Sequence, residues 1–395
     1  MEEWKEVKLG EFMQFNPKER IAKGQIARKI AMDQLVPYCR DVISNIYEEY
    51  KGGTKFKNGD TIMARITPCL ENGKTSYISS LKKNEIAFGS TEYIVLRNIE
   101  RVSDSKFVYY LSICPHVREI AIKSMVGSSG RQRVQQDVLE NYCMKLPPLP
   151  TQQKIANILS SLDDKIEVNR RINENLEAQA QALFKSWFVD FEPFKDGEFV
   201  ESELGMIPKG WRVCEIKDFG DVVCGKTPSK ENKDFYGGNI PFIKIPDMHN
   251  TIFIERTEDW LSEEGNLSQI KKRIPPYSIC VSCIATVGLV VINSTYAHTN
   301  QQINTIILNK EYERFYLFNQ LKLMKKYIQN LGRGGTATLN VNTKIFSTIK
   351  VLMPTEKVLK DFDSVVTCFY EKIENNQQEI TRLASLRDTL LPKLM

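Results

Sequence analysis

Trp4-Lys-Glu-Val-Lys-Leu-Gly-Glu-Phe12 sets a tryptophan and a phenylalanine eight residues apart, and Trp211-Arg-Val-Cys-Glu-Ile-Lys-Asp-Phe219 repeats that spacing 207 positions later. Far downstream in each half, Lys165-Ile166-Glu167 recurs as Lys372-Ile373-Glu374 with the same offset of 207. Asn169 then matches Asn376, Leu176 matches Leu383, and Leu183 matches Leu390. Two distant blocks sharing one offset identify an internal duplication, and a duplication decides the architecture before any local motif does.

Each copy follows one plan. A mixed segment of about 150 residues carries short β-type runs, such as Thr61–Ile66, Tyr93–Leu96, Ser278–Val281 and Thr305–Leu308. Turn signals separate them at Lys57-Asn-Gly-Asp60, Glu71-Asn-Gly-Lys74 and Gly237-Gly-Asn239. Prolines close each segment, at Pro147-Pro-Leu-Pro150 and at Pro354, and the threonine that follows (Thr151, Thr355) is suited to cap a helix. Phe191-Glu-Pro-Phe-Lys-Asp-Gly-Glu198 through Pro208-Lys-Gly210 reads as a polar linker. The expected division is 1–150 for a first mixed domain, 151–190 for a first long helix and 191–210 for the linker. A second domain then takes 211–354 and a second long helix 355–395.

The long helices announce themselves by heptads. From Thr151 to Val189 there is no glycine or proline, and Ile155, Leu162, Asn169, Leu176 and Leu183 form one apolar row beside Leu159, Ile166, Asn173, Ala180 and Trp187. The second copy gives Phe362, Phe369, Asn376, Leu383 and Leu390 beside Val366, Ile373, Ile380, Arg387 and Leu394. At 1.5 Å per residue each helix spans roughly 55 Å. Such a stripe either packs on its own domain or pairs with the other stripe, and two stripes in one register favour pairing. The expected fold is α+β: two similar domains separated by a pair of antiparallel helices in a pseudo-twofold arrangement. Asn169 and Asn376, polar residues in an apolar seam, either face each other at mid-helix to fix register or are solvated.

Composition narrows the class without fixing a ligand. With 42% hydrophobic and 26% charged residues the chain is an ordinary globular one, and no apolar run reaches bilayer length. The opening Met1-Glu-Glu-Trp-Lys5 lacks the apolar core of a signal peptide, and nine cysteines, an odd number without a framework, suit reduced thiols; a cytoplasmic setting is expected. A net charge of +5 permits nucleic-acid binding but does not demand it.

Two motifs mislead. Gly220-Asp-Val-Val-Cys-Gly-Lys-Thr227 fits the Walker A pattern, yet Val222, Val223 and Cys224 favour a strand and Pro228 follows where a helix must begin. Cys280-Val-Ser-Cys283 has no second pair at zinc spacing, so no metal site is expected. No catalytic constellation emerges, and no adenine-methyltransferase or dinucleotide motif is present.

Several stretches resemble the specificity subunit of type I restriction-modification systems. They are Leu146-Pro-Pro-Leu-Pro-Thr-Gln-Gln-Lys-Ile-Ala156, Leu162-Asp-Asp-Lys-Ile-Glu167, Ala182-Leu-Phe-Lys-Ser-Trp-Phe188 and Ser202-Glu-Leu-Gly-Met-Ile-Pro-Lys-Gly-Trp211. Gly225-Lys-Thr-Pro-Ser229, Tyr236-Gly-Gly-Asn-Ile-Pro241 and Asn300-Gln-Gln302 add to the likeness, whereas the first copy has Asn16-Pro17-Lys18 where the GKTPS element belongs. The resemblance implies a non-catalytic subunit with two target-recognition domains, each reading half of a split, asymmetric DNA site. It also implies partners: two methyltransferase subunits that bind S-adenosylmethionine, and a translocating restriction subunit that uses ATP and magnesium. No cofactor is expected on this chain. An enzyme centred on the Walker-like stretch and a coiled-coil scaffold that reads no DNA are the alternatives.

Cations and amides on glycine-bearing loops are the side chains that contact phosphates and base edges. In the first copy these are Lys51, Lys55, Lys57, Arg65, Lys74, Arg131 and Arg133, the last two in Gly127-Ser-Ser-Gly-Arg-Gln-Arg133. In the second they are Lys226, Lys230, Lys244, Lys271, Lys272, Arg273 and Arg333, the last in Gly332-Arg-Gly-Gly-Thr336.

Overall fold

A computed structural model of the chain describes residues 3–333 and 339–395. It divides into two compact units, one made of residues 1–169 with 379–395 and the other of residues 170–378.

In the first unit the alternating runs become two four-stranded sheets. Met13–Phe15, Tyr93–Asn98, Thr61–Ala64 and Thr75–Tyr77 lie side by side, all antiparallel. Tyr47–Glu49, Ile26–Ile30, Ile86–Gly89 and Thr54–Lys57 form the other, with one parallel pairing. The helix Ser105–Ile113, capped by the Asp104 carboxylate accepting from the Phe107 amide, buries Phe107, Tyr109 and Tyr110 in a core shared with Ile155, Leu159 and Leu391.

The second unit repeats the scheme with a five-stranded sheet, ordered Gly220–Cys224, Ile303–Leu308, Ile279–Ser282, Val290–Asn293 and Phe253–Ile254. A three-stranded sheet centred on Tyr236–Ile243 accompanies it. Here Gly237-Gly238-Asn239, expected as a turn, lies inside a strand and makes a bulge between Tyr236 and Ile240. The bulge needs its glycine: a Cβ on Gly238 would stand 2.4 Å from the Leu261 carbonyl oxygen.

The duplication is visible in the frame of each unit. Lys5–Lys8 pairs antiparallel with Cys143–Leu146, and Arg212–Glu215 pairs with Lys350–Met353; every residue of the second pair is 207 beyond its counterpart. The short helices Gln136–Glu140 and Thr343–Ser347 keep the same offset of 207. Between these fixed points the strands differ in length and spacing, so the frame is shared and the filling is not.

The first long helix runs Leu149–Phe188 and the second Glu356–Leu394. The first opens before Thr151, because the Pro148 carbonyl accepts from the Thr151 and Gln152 amides; Pro150 is tolerated there because first-turn amides need no helical acceptor. Within each unit the two helices run antiparallel. In the first unit Asp163 meets Arg387 and Asn169 meets Glu379. In the second, Trp187 packs on Phe362 and Asn173 meets Asn376.

The seam positions fall as follows. Ile155, Leu159, Ile166, Asn169, Phe362, Ile373 and Asn376 are buried, whereas Leu162, Leu176, Leu183, Phe369, Leu383 and Leu390 are half-buried. In the later turns Phe184, Phe188, Tyr370 and Leu391 are buried one place beyond heptad positions, while Ala180 and Arg387 stay buried on theirs. A straight helix of 3.6 residues per turn drifts about 20° per heptad, so over several heptads the buried face slides onto the next residue. Asn169 and Asn376 are not solvated: Asn169 donates to Glu379 and Asn376 to Asn173, each at 2.8 Å.

The expected linker is structured. Phe199–Ser202 and Gly205–Pro208 form a hairpin, while Phe191 and Phe194 pack their rings on Trp211 at 5.6 and 5.2 Å. Its aromatic residues, hidden in a polar sequence, anchor it to the second unit's core.

Candidate nucleic-acid interface

In the first unit, Gly127–Arg133 is a loop that leaves the helix Pro115–Lys123 and returns through a bridge between Val126 and Arg133. Gly127 and Gly130 have φ of +141° and +75°, values that a side chain resists, which explains two glycines in so short a turn. Arg131 is exposed, and among the described residues its side chain has no ion-pair partner. Arg133 is engaged within the chain: its guanidinium grips Glu92 with contacts of 2.7–3.0 Å, and that hydrogen bonding holds the Glu92 carboxyl below its ordinary pKa.

The remaining cations of this unit divide the same way. Lys74 donates to the Met32 carbonyl at 2.8 Å, and Arg65 is half-buried with one long contact to the Val134 carbonyl. Lys57 pairs with Glu19, where burial would raise the carboxyl pKa but hydrogen bonds from Arg97 and Lys57 lower it. Lys55 lies over the Tyr50 ring at 4.9 Å, and Lys51 is a solvated lysine 3.4 Å from Glu49.

In the second unit Gly225–Ser229 follows the strand Gly220–Cys224 as an extended segment held by the Lys226 amide on the Thr299 carbonyl and by Thr227 on Gln301. A Cβ on Gly225 would stand 2.3 Å from the carbonyl oxygens of Thr299 and Asn300. This glycine permits chain-on-chain packing, and no helix begins at Lys226, so the stretch does not form a phosphate-wrapping loop. Lys226 and Lys230 are exposed and unpaired among the described residues.

Lys244 is tied to Asp259 at 2.7 Å and to Glu258 at 3.3 Å; burial works against its charge, but those two carboxylates raise its pKa. Lys271, Lys272 and Arg273 end a single turn, with Arg273 over the exposed Tyr296 ring at 4.9 Å. Sequence reasoning overlooked Tyr296; its place in the turn-forming run Asn293-Ser-Thr-Tyr296 was the available signal. Arg333 is exposed at the end of the helix Lys325–Leu331, and the rest of its loop, 334–336, lies outside the described residues.

Cys280 and Cys283 are buried in the five-stranded sheet, and burial pushes their thiols up to about 12 and about 11, which keeps them protonated. Among the described residues no cluster of histidine, cysteine or carboxylate side chains could hold a metal ion, and no helix is long and apolar enough to cross a membrane.

A family model described as the type I restriction modification DNA specificity domain matches residues 1–178 and again 208–384. The chain belongs to the type I DNA-specificity family. It is 36% identical over 464 aligned positions to the HindI specificity subunit of Haemophilus influenzae, covering 100% of this chain and 99% of that one. It is 32% identical to the MjaIX specificity subunit of Methanocaldococcus jannaschii over 74% of this chain and 68% of that one. Among solved structures, the S subunit of a type I system from M. genitalium shares the fold, with a TM-score of 0.59 at 15% identity over 99% of this chain and 96% of that one. A type I specificity subunit recognises DNA and is not catalytic, and the two matched segments correspond to the two copies read from the sequence.

Proposed function

We propose that this specificity subunit reads a split, asymmetric DNA site, one half through each domain. In this reading it docks two methyltransferase subunits, which carry S-adenosylmethionine, and restriction subunits that use ATP and magnesium. The chain itself holds no cofactor. The observation that supports this most is the pairing of a repeated frame with unlike fillings. The clip of two short strands keeps its register at an offset of 207 in both units, while the sheets it carries differ, two of four strands in one unit and one of five with one of three in the other. Two unlike readers on one frame suit two unlike half-sites.

Within this reading the cations take two roles. Arg131, Lys226, Lys230, Lys271, Lys272 and Arg333 are free to contact phosphates or guanine edges. Arg133, Lys244, Lys74 and Lys57 shape the loops through contacts within the chain. Arg65 reaches the Val134 carbonyl beside the 127–133 loop, Lys55 and Arg273 lie over the Tyr50 and Tyr296 rings, and Lys51 is solvated near Glu49.

Methylated adenines mapped in DNA from cells with and without the chain test the proposal. A two-part motif that appears only with the chain supports it, and substitutions in the 127–133 loop should alter one half of the motif alone. A continuous or palindromic motif, or loss of both halves together, counts against it.

A further inference from the structure

The backbone on either side of the Arg133–Glu92 pair is pinned. The Arg133 amide and carbonyl both pair with Val126, at 2.9 and 3.0 Å, and its other flank bridges to Ile66. There the Gln132 carbonyl accepts from the Thr67 amide at 3.0 Å, and the Val134 amide donates to the Arg65 carbonyl at 2.9 Å. The Arg65 amide in turn donates to the Glu92 carbonyl at 2.9 Å, and the Glu92 amide donates to the Ser90 hydroxyl at 3.1 Å. Arg133 thus stands at the anchored foot of the 127–133 loop, whereas Arg131 belongs to the turn that its amide closes on the Ser128 carbonyl. A side chain on pinned backbone presents its donors with the precision that reading a base requires.

The grip uses one edge of the guanidinium. Nε and Nη2 donate to the Glu92 carboxylate, and Nη1 has no partner among the described residues. The outer edge, formed by Nη1 and the second hydrogen of Nη2, stays available as a fork of donors. The two side chains are 44% and 24% exposed, so the pair lies at the surface, where a ligand can reach it.

The carboxylate also decides what this arginine binds. Hydrogen bonding from Arg133 keeps Glu92 ionised, so the pair carries no net charge. A phosphate is drawn by net charge and gains little here, whereas guanine offers two acceptors, O6 and N7, matched to an arginine fork. Arg131, exposed in the same loop and without an ion-pair partner among the described residues, is the better placed of the two for a phosphate.

We propose that Arg133 reads a guanine in the major groove through its outer Nη1–Nη2 edge, with Glu92 as the residue that positions it. This rests on the DNA-reading role argued above, and it gives Arg133 a task beyond shaping its loop.

Binding by the complex assembled with methyltransferase subunits tests it, on duplexes that carry the mapped methylation motif. Each guanine is replaced in turn by 7-deazaguanine, which lacks the N7 acceptor. At one guanine, in one half of the motif, the replacement should cost the wild type about tenfold in affinity. In Arg133→Ala the same replacement should cost nothing further. In Glu92→Gln, nearly isosteric, the penalty should shrink to about threefold, while affinity for DNA of any sequence rises because a negative charge is gone. The glutamine variant keeps the test open if Arg133→Ala does not fold. Indifference of the wild type to every replacement, a full penalty surviving in Arg133→Ala, or an unchanged penalty in Glu92→Gln overturns the proposal. A continuous motif defeats the split-site reading alone, since the guanine test applies to it equally.

Discussion

Arg387 and Asp163 form an ion pair of 2.8 Å with both side chains almost withdrawn from solvent, at 5% and 3% exposure. Asp163 also accepts from the Tyr110 hydroxyl at 2.7 Å, and Arg387 reaches Asp388 and the Tyr38 carbonyl. At the corresponding places in the second unit stand Tyr370, stacked on Phe315 at 4.2 Å, and the buried Ala180. The first unit fills its helix seam with a matched charge pair, the second with aromatic rings.

Breaking that pair from one side leaves a buried charge uncompensated, which costs about 3–5 kcal/mol. Asp163→Ala or Arg387→Met should therefore lower the urea-unfolding midpoint sharply, while Asp163→Leu combined with Arg387→Met should recover much of the loss. A double variant no more stable than either single one would contradict this account of the seam.

His298 should make the protein acid-sensitive. Burial, with the positive charge of Arg273 adding to it, lowers its pKa from 6.5 to about 4. Asn266 fixes the neutral tautomer: its amide nitrogen donates to Glu263, so its oxygen accepts from His298 Nε2 at 2.9 Å. The unfolded state binds this proton more readily, so stability is complete above about pH 6.5 and falls as pH drops towards 4. The loss is on the order of 3 kcal/mol. Unfolding followed across that window should show a shallower slope for His298→Gln than for wild type.

Gly225→Ala should destabilise the second unit by about 1–3 kcal/mol, because the added methyl meets the Thr299 and Asn300 carbonyls. ATP with magnesium should leave the melting temperature of the isolated chain unchanged. Stabilisation by nucleotide that disappears in Gly225→Ala would revive the Walker reading.

Arg131→Ala and Arg333→Ala should weaken DNA binding in the complex assembled with methyltransferase subunits. If the arginine touches a phosphate, its removal reduces the slope of log affinity against log salt by about one. If it touches a base edge, its removal costs about 1–3 kcal/mol at one position of the site. Competition binding at several salt concentrations separates the two, and unchanged affinity in both variants at every salt removes these loops from the interface.

The frame was legible because repetition is a property of sequence alone: Trp4 and Trp211, or Asn169 and Asn376, need no coordinates to be aligned. The seam was legible to within one residue, since heptad spacing marks a face but not the slow rotation that brings in Phe184 and Leu391. The loop cations were less so. Arg131 and Arg133 are near-identical in sequence context, yet Glu92, some 40 residues away, claims one and leaves the other in solvent. Pairing between distant residues also hid the Arg387–Asp163 ion pair, because Arg387 interrupts an apolar row and its partner lies 224 positions earlier.

Each mixed segment enters and leaves through the same two-stranded clip, Lys5–Lys8 against Cys143–Leu146 in one copy and Arg212–Glu215 against Lys350–Met353 in the other. A stretch of chain whose two ends are stapled together this way behaves as a cassette. Recombination or engineering can exchange what lies between the staples wholesale, leaving the helix downstream to start from the same point. New sequence preferences can then arise without rebuilding the scaffold that carries them.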